Sequence, residues 1–436
     1  MASKFFGFGL RAVVSVSMAV TALAFRPATP AAAAWLSPEK QLTTNAAYTG
    51  MPDISGTKIV YSDYRNQHEV GDPDDPDILY DIRLLDLKTG KDRNLTPKHS
   101  AYGDAVISGN RVVWTDYGNG KSTFGIWYHN LSNGTHKRLL SGSQPRIDGT
   151  RMCFDKGRRI YVYSFSTRKT TVVSPKNMNA GACDISGTTV VWQGYFKGAT
   201  RTDVFSYNLS TKKRSQLTKS PADPGLPRID GKLVVWMDDR NSADNGDIYS
   251  YNLSTHKESP VAIAADMQGF PAVSAGRVVW QDNRNGGNSD IYLYDVATGV
   301  ETRVSKSDSG WNAAISGNRI VYQYEKSGQS HVFLSTITPP VVKAGAPKSV
   351  AKGSTPHVSG TLMTAGSLPI AGKQVQLQYS SNGSTWHAGT TALTNIEGKF
   401  TITGPAIVKA TYFRVRFVGT TDFAPAVSGK VKVKVT

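Results

Sequence analysis

The sequence predicts an all-β chain: a closed ring of seven four-stranded blades, a β-propeller, followed by a small β-sandwich. Three observations carry this. One short string recurs as SGTKIVY (55–61), SGNRVVW (108–114), DGTRMCF (148–154), SGTTVVW (186–192), DGKLVVW (230–236), SAGRVVW (274–280) and SGNRIVY (316–322). Aligned on the turn residue (Gly56, Gly109, Gly149, Gly187, Gly231, Ala275, Gly317), the copies lie 53, 40, 38, 44, 44 and 42 residues apart, the period of a four-stranded propeller blade. Forty-one glycines and 21 prolines, with no heptad run, fit a chain of tight turns rather than long helices. Finally, the seventh repeat is one strand short, and a matching strand stands unused at the other end of the chain.

Each repeat has four beats. A short segment enters the turn, as in Leu226–Gly231, and an apolar β-branched strand follows, as in Leu233–Trp236. After a polar loop comes an alternating strand: RIYVYS (159–164), DVFSYN (203–208), DIYSYN (247–252), DIYLYD (290–295) or HVFLST (331–336). Period-two alternation with Tyr, Ile and Val marks half-buried strands. The last strand ends in Leu-Thr or its equivalent: RNLT (93–96), RLLS (138–141), TVVS (171–174), SQLT (215–218) and TRVS (302–305). After His331–Ser335 the chain runs into Ile337-Thr-Pro-Pro340 with no such strand, whereas Glu39-Lys-Gln-Leu-Thr43 precedes the first turn as RNLT precedes the second. The N-terminal strand is therefore expected to complete the seventh blade, which removes an open sheet edge.

The flanking segments set the expected organisation. Lys4 and Arg11 accompany an apolar run from Ala12 to Phe25, and Ala31–Ala34 offers small residues for cleavage, so residues 1–34 read as a signal peptide and the mature chain as secreted or held at the cell surface. The rival reading is an uncleaved anchor, but 14 residues fall short of the roughly 20 needed to span a bilayer. No later segment reads as transmembrane. The propeller is assigned to 35–338, a linker or first edge strand to 339–356, and the sandwich to 357–436. Its expected strands are His357–Leu362, Lys373–Tyr379, Thr385–Leu393, Lys399–Ile402, Ala410–Phe417 and Lys430–Val435.

The formal net charge is +17, and residues 344–436 carry ten Lys or Arg against Glu397 and Asp422 alone. Such a surface attracts anionic wall polymers, acidic glycans or nucleic acid, or serves solubility alone; with no nucleic-acid module in the sequence, nucleic acid is not the expected partner. Cys153 and Cys183 fall in neighbouring repeats. Two buried thiols are the expectation and a disulfide the alternative, which export would permit.

Candidate sites are few. The longest loop, Asn66–Pro76, is followed by Asp77 and presents Asp72, Asp74, Asp75 and Asp77, oxygen donors of the kind calcium takes. It does not match the twelve-residue calcium loop, so a solvated acidic loop is the default and calcium the one cofactor in view. Asp63/Arg65, Asp238/Arg240 and Asp282/Arg284 are charge pairs able to do acid–base work, yet a feature repeated by blade serves the blade. The eight histidines show no His-x-x-x-His spacing, and no Gly-x-Ser-x-Gly turn occurs. Aromatic residues remain as contacts for a ligand. Tyr48, Tyr102, Phe270 and Trp311 precede first strands near the channel mouth, and Tyr64, Tyr117 and Tyr195 lie in loops of the same face. Trp386 of the sandwich is a candidate sugar platform, with local packing as the commoner role.

The turn-Gly strand, Asp-x-Arg loop and Asp-Ile-Tyr strand, clearest at 231–252 and 276–295, resemble the repeats of TolB-type exported bacterial propellers over about residues 36–338. The pattern is eroded at Asp155-Lys-Gly157, at Gly118 and at Gln323. The resemblance implies architecture and not activity. Gly372-Lys-Gln-Val375, Asn395–Phe400 and Tyr412–Arg416 resemble bacterial immunoglobulin-like modules, which implies a spacer, adhesion or glycan-contacting role. The expected function is a non-catalytic exported binding or adhesion protein, recognising a cell-surface glycan, a wall polymer or an envelope protein through the propeller face. The alternatives are a polysaccharide lyase or other carbohydrate-active enzyme acting on an acidic glycan, and a scaffold in an envelope complex.

Overall fold

The computed structural model describes residues 36–44, 48–64, 80–96, 105–117, 124–219, 222–242, 245–286, 289–297, 299–305, 309–326, 328–365, 367–420, 423 and 425–436. Seven four-stranded antiparallel sheets form the first part of the chain. In blade five, for example, Gly225–Asp230 is innermost, followed outward by Leu233–Ser242, Asn245–Asn252 and Lys257–Ala262. No described helix is long and apolar enough to cross a membrane. The expected signal segment lies outside the described residues.

The second strand of each blade holds the core. Val234, Val235 and Trp236 are all buried, as are Val278, Val279 and Trp280 and their counterparts in the other blades. Successive strand residues point to opposite faces, so a buried run of three requires cover on both faces. The neighbouring blades supply it: Val60, Ile82 and Leu84 of blade one share a cluster with Ile107, Val112 and Trp114 of blade two. Each such side chain contributes about 1.5–3 kcal/mol on burial.

The ring closes as the strand count requires. Lys40–Gln41 pairs antiparallel with Gln329–Thr336, placing Lys40 opposite Leu334 and Gln41 opposite Phe333. Thr43 then acts as the last strands do elsewhere. Its Oγ1 accepts the Val332 amide at 3.0 Å, as Thr96 accepts Ile82 (2.8 Å), Ser174 accepts Ile160 (3.0 Å), Thr218 accepts Val204 (2.9 Å) and Ser305 accepts Ile291 (3.0 Å). The recurring Leu-Thr is thus a device that satisfies the first amides of the third strand. Ile54, Ile59 and Tyr61 of blade one pack against Val321, Val332 and Leu334 of blade seven, sealing the joint.

The Ser or Asp of the recurring string has a second task. Ser55, Ser108, Asp148, Ser186, Asp230, Ser274 and Ser316 accept the amides of Gly109, Gly149, Gly187, Gly231, Ala275, Gly317 and Gly56, at 2.6–3.1 Å. Each blade is latched to the next through the turn, and Ser316 returns the chain of bonds to blade one. The turn residue must adopt the left-handed region, with φ of 54–63° at the six glycines and 52° at Ala275.

Cys153 and Cys183 are disulfide-bonded, with Cα atoms 6.3 Å apart. This departs from the expectation of two free thiols. Cys153 lies on the second strand of blade three and Cys183 on the innermost strand of blade four, and both side chains enter the same inter-blade core.

The C-terminal part is a β-sandwich. Val341–Gly345, His357–Met363 and Lys399–Thr403 form one sheet, and the other runs Ser349–Val350, Val431–Val435, Thr411–Phe417, Gln374–Ser380, His387–Leu393. Val358, Leu362, Val375, Phe400, Phe413 and Val415 meet between them.

Candidate binding site in the propeller channel

The innermost strands surround a central channel of about 510 Å³, lined by residues of all seven blades. Their local geometry sets what faces it. Five residues before the turn, Met51, Gln144, Ala182, Leu226, Phe270 and Asn312 adopt φ of 48–53°, and the ladder slips at the same place in each of these six blades. These are β-bulges, which re-aim side chains and occur beside binding sites. The equivalent Asp104 lies outside the described residues. Neighbouring blades hold the bulges: Thr115, Asp155, Gln193 and Gln323 accept the amides of Gln144, Ala182, Leu226 and Met51 at 3.0, 3.2, 2.7 and 3.1 Å.

Three residues before each turn stands a ring of channel-lining positions: Asp53, Val106, Arg146, Asp184, Arg228, Ala272 and Ala314. Charges of both signs occupy blades one, three, four and five, while blades six and seven offer only methyl groups. Asp53 accepts the Ile107 amide at 2.8 Å and Asp184 accepts the Ile229 amide at 2.9 Å. Burial raises both carboxyls, against the opposing pull of Ile107 and Arg146 at Asp53 and of Arg228, Ile229 and Arg146 at Asp184. Around the mouth, Met51, Gln144, Leu226, Phe270 and Asn312 add apolar and amide surface. The arrangement suits a ligand that presents polar groups to Arg146 and Arg228 and apolar surface to the opposite wall.

Of the aromatic candidates, Phe270 is among the residues that line the channel. It sits on a bulge and is 46% exposed. Trp311 precedes the bulge of its blade and is half-buried. Tyr48 is 40% exposed and meets Tyr64 edge-on at 5.1 Å, with Tyr80 a further 5.0 Å from Tyr64. Tyr117 is 53% exposed and lies 6.4 Å from Phe124, and Tyr195 is exposed on its own strand end. Arg414 lies over the Trp386 ring at 4.1 Å. Tyr102 and the acidic residues Asp72, Asp74, Asp75 and Asp77 lie outside the described residues.

The Asp-x-Arg pairs are bound within their blades. Arg284 forms a fork on Asp282 (2.6 and 2.9 Å), reaches Glu301 at 2.5 Å and stacks on Tyr292 at 4.4 Å, while the Trp280 indole donates to Asp282 at 2.7 Å. Arg240 repeats this with Asp238, Glu258, Tyr249 and Trp236. Burial pushes the Asp238 carboxyl up, but hydrogen bonds from Arg240 and Trp236 outweigh it and hold it below the usual range. In blade one Arg65 lies outside the described residues, and Asp63 meets Arg83 at 3.5 Å.

One pair of histidines meets without any His-x-x-x-His spacing. His129 and His136 stand opposite each other on adjacent strands of blade two, with Nδ1 atoms 3.3 Å apart. Their separation across a short hairpin turn was the available clue. Among the described residues, no group of three or more His, Cys, Asp or Glu converges as a metal site. Asp155 Oδ2 accepts the Ala182 amide, while its buried Oδ1 has no hydrogen-bond partner among the described residues.

Burial pushes the Asp155 carboxyl up to about 7 from 3.8, with the Ala182 amide opposing. The folded state therefore binds this proton more tightly than the unfolded chain. The group's contribution is fully present below about pH 4 and is lost as pH rises through 7. Asp155→Asn keeps an acceptor for Ala182 and removes the ionisation. It is expected to stabilise the protein by about 2 kcal/mol at pH 8 and by much less at pH 5. Denaturant unfolding at the two pH values measures this, and an equal shift at both would show that the ionisation plays no part.

The chain is similar in fold to solved propellers. The β-propeller domain of the Trilobed protease from Pyrococcus furiosus, reported with an open velcro topology, shares 13% identity with a TM-score of 0.50, over 66% of this chain and 95% of that one. A structure from a study of two prolyl endopeptidases gives 12% identity and a TM-score of 0.50, over 72% of this chain and 53% of that one. TolB from Acinetobacter baumannii gives 16% identity and a TM-score of 0.38, over 60% and 77%. At these identities the likeness is one of fold, the β-propeller. No family model and no curated relative matches the sequence.

Proposed function

We propose that this chain is an exported, non-catalytic binding or adhesion protein whose channel mouth recognises a cell-surface glycan, a wall polymer or an envelope protein. One observation carries the reading: the channel ring is where the blades stop repeating. Latch, bulge and core positions recur for structural reasons already given, whereas Asp53, Val106, Arg146, Asp184, Arg228, Ala272 and Ala314 occupy equivalent places with unlike chemistry. Asymmetric chemistry in a symmetric frame is what selection of one partner requires. The repeated Asp-x-Arg carboxylates and guanidiniums are engaged with each other, which fits a structural role better than acid–base work. The disulfide fits an oxidising compartment, and the C-terminal sandwich fits an immunoglobulin-like spacer.

The test screens the full chain against glycans, wall polymers and envelope-protein fractions, beside the variant R146Q/R228Q with its fold checked by circular dichroism. Binding of one component, weakened at least about tenfold in the variant, is expected if each arginine contributes a charge-assisted hydrogen bond. Undiminished binding by the variant contradicts the channel reading, and release of unsaturated sugars from an acidic glycan contradicts the non-catalytic one.

A further inference from the structure

A second surface, independent of the channel, lies on the sandwich. In Thr411–Phe417, Phe413, Val415 and Phe417 are buried, which turns Tyr412, Arg414 and Arg416 outward. The register places Tyr412 opposite Lys432 on one side, and Arg414 and Arg416 opposite Gln378 and Gln376 on the other. Lys430, Lys432 and Lys434 are exposed. Charges two residues apart on a strand lie about 6.6 Å from one another, and adjacent strands are about 4.8 Å apart. The five cations therefore share one face of the sheet. The sandwich's one ion pair among the described residues is Lys399–Glu397, away from this face. Like charges so spaced repel, and a polyanion laid across them relieves the repulsion.

We propose that this face, through Arg414, Arg416, Lys430, Lys432 and Lys434, binds a linear anionic polysaccharide bearing carboxylates. Charge complementarity selects a polyanion, and two details select sugar over nucleic acid. The aromatic rings are already covered by cations: Arg414 lies 4.1 Å over Trp386, and Lys432 and Lys430 lie 5.2 and 5.5 Å from the Tyr412 ring. Neither ring is left open as a platform for base stacking. Beside the cations runs the row Gln374, Gln376 and Gln378, whose amides can donate to and accept from sugar hydroxyls. Gln378 already accepts from Arg414 at 2.7 Å, which fixes both side chains and leaves its amide N–H groups to donate.

The test titrates the full chain with polygalacturonate oligosaccharides, with neutral dextran, and with single-stranded DNA of equal charge, over a range of salt. Polygalacturonate is expected to bind, dextran not to bind, and DNA to bind more weakly. R414Q/R416Q and K432Q/K434Q should each weaken binding about tenfold and flatten the salt dependence by about one to two units of slope. K432R/K434R retains the charge and should retain the binding. K212Q/K213Q, which removes two charges from the propeller surface, should change it less than about twofold. Lys432 and Lys434 are exposed, so the K432Q/K434Q midpoint should stay within about 2 °C of the parent chain, and the half-buried R414Q/R416Q pair is compared after its fold is checked by circular dichroism. Absence of polygalacturonate binding, insensitivity to both glutamine pairs, or tighter binding of DNA overturns the proposal. R146Q/R228Q should leave polygalacturonate binding unchanged, so this site and the channel succeed or fail separately.

Discussion

Deleting residues 36–43 should lower the thermal midpoint by on the order of 10 °C and promote aggregation. The segment contributes far more than its length suggests. Without it, the Val332 amide loses its Thr43 acceptor and the Val332 carbonyl loses the Leu42 amide. The Thr336 amide loses Ser37 Oγ, and the buried Tyr322 hydroxyl loses its 2.6 Å bond to Glu39. Each buried polar group left without a partner costs about 1–3 kcal/mol, which for four groups sums to on the order of 4–12 kcal/mol, the low end applying where water reaches the bared strand. For a domain of this size 1 kcal/mol shifts the midpoint by roughly 2–4 °C. The deletion also bares the third strand of blade seven as an open edge, a template for pairing between molecules. Thermal unfolding followed by circular dichroism, with light scattering, reads both effects. An unchanged midpoint would mean that the ring is held without its N-terminal strand.

Breaking the Cys153–Cys183 bond should be nearly as costly. The bridge spans 30 residues, and closing a loop of that length in the unfolded chain accounts for about 3–4 kcal/mol in the chain-entropy model. It also ties blade three to blade four at a buried point. C153A/C183A is therefore expected to lose about that much stability in denaturant unfolding. The reduced parent chain should lose a comparable amount once the bond is opened in denaturant. A loss below about 1 kcal/mol in both would show that packing between these blades, and not the covalent link, joins them.

Blade number and closure were legible because their signals are local. Glycine turns, three-residue apolar strands and period-two alternation all recur within a few residues of one another, and the surplus Glu39-Lys-Gln-Leu-Thr43 could be matched to the missing strand. The same repetition identified Asp-x-Arg as a blade feature, and the forks at Asp238 and Asp282 show how it is used. The channel was not legible. Its bulges fall at Met51, Gln144, Ala182, Leu226, Phe270 and Asn312, a set with no shared chemistry, because a hydrogen bond from the preceding blade holds several of them in place of a glycine. A bulge also changes which side chains face inward, and Tyr48, Trp311 and Phe270 stand eight, six and five residues before their turns, so of the three only Phe270 falls on a bulge. The disulfide needed the distance between two strands of different blades, which spacing alone does not give. On the sandwich the reverse holds. Alternation in Tyr412–Arg416 and Val431–Val435 already put the cations on one face, and only the register between strands was missing.

Amide hydrogen exchange on the full chain, with and without the component recovered in the binding screen, tests the channel as the recognition site most directly. Added protection is predicted in the innermost strands Ser143–Asp148, Met178–Ser186 and Gly225–Asp230, which carry Arg146, Asp184 and Arg228. Protection confined to the outer strands, with these three unchanged, would contradict it.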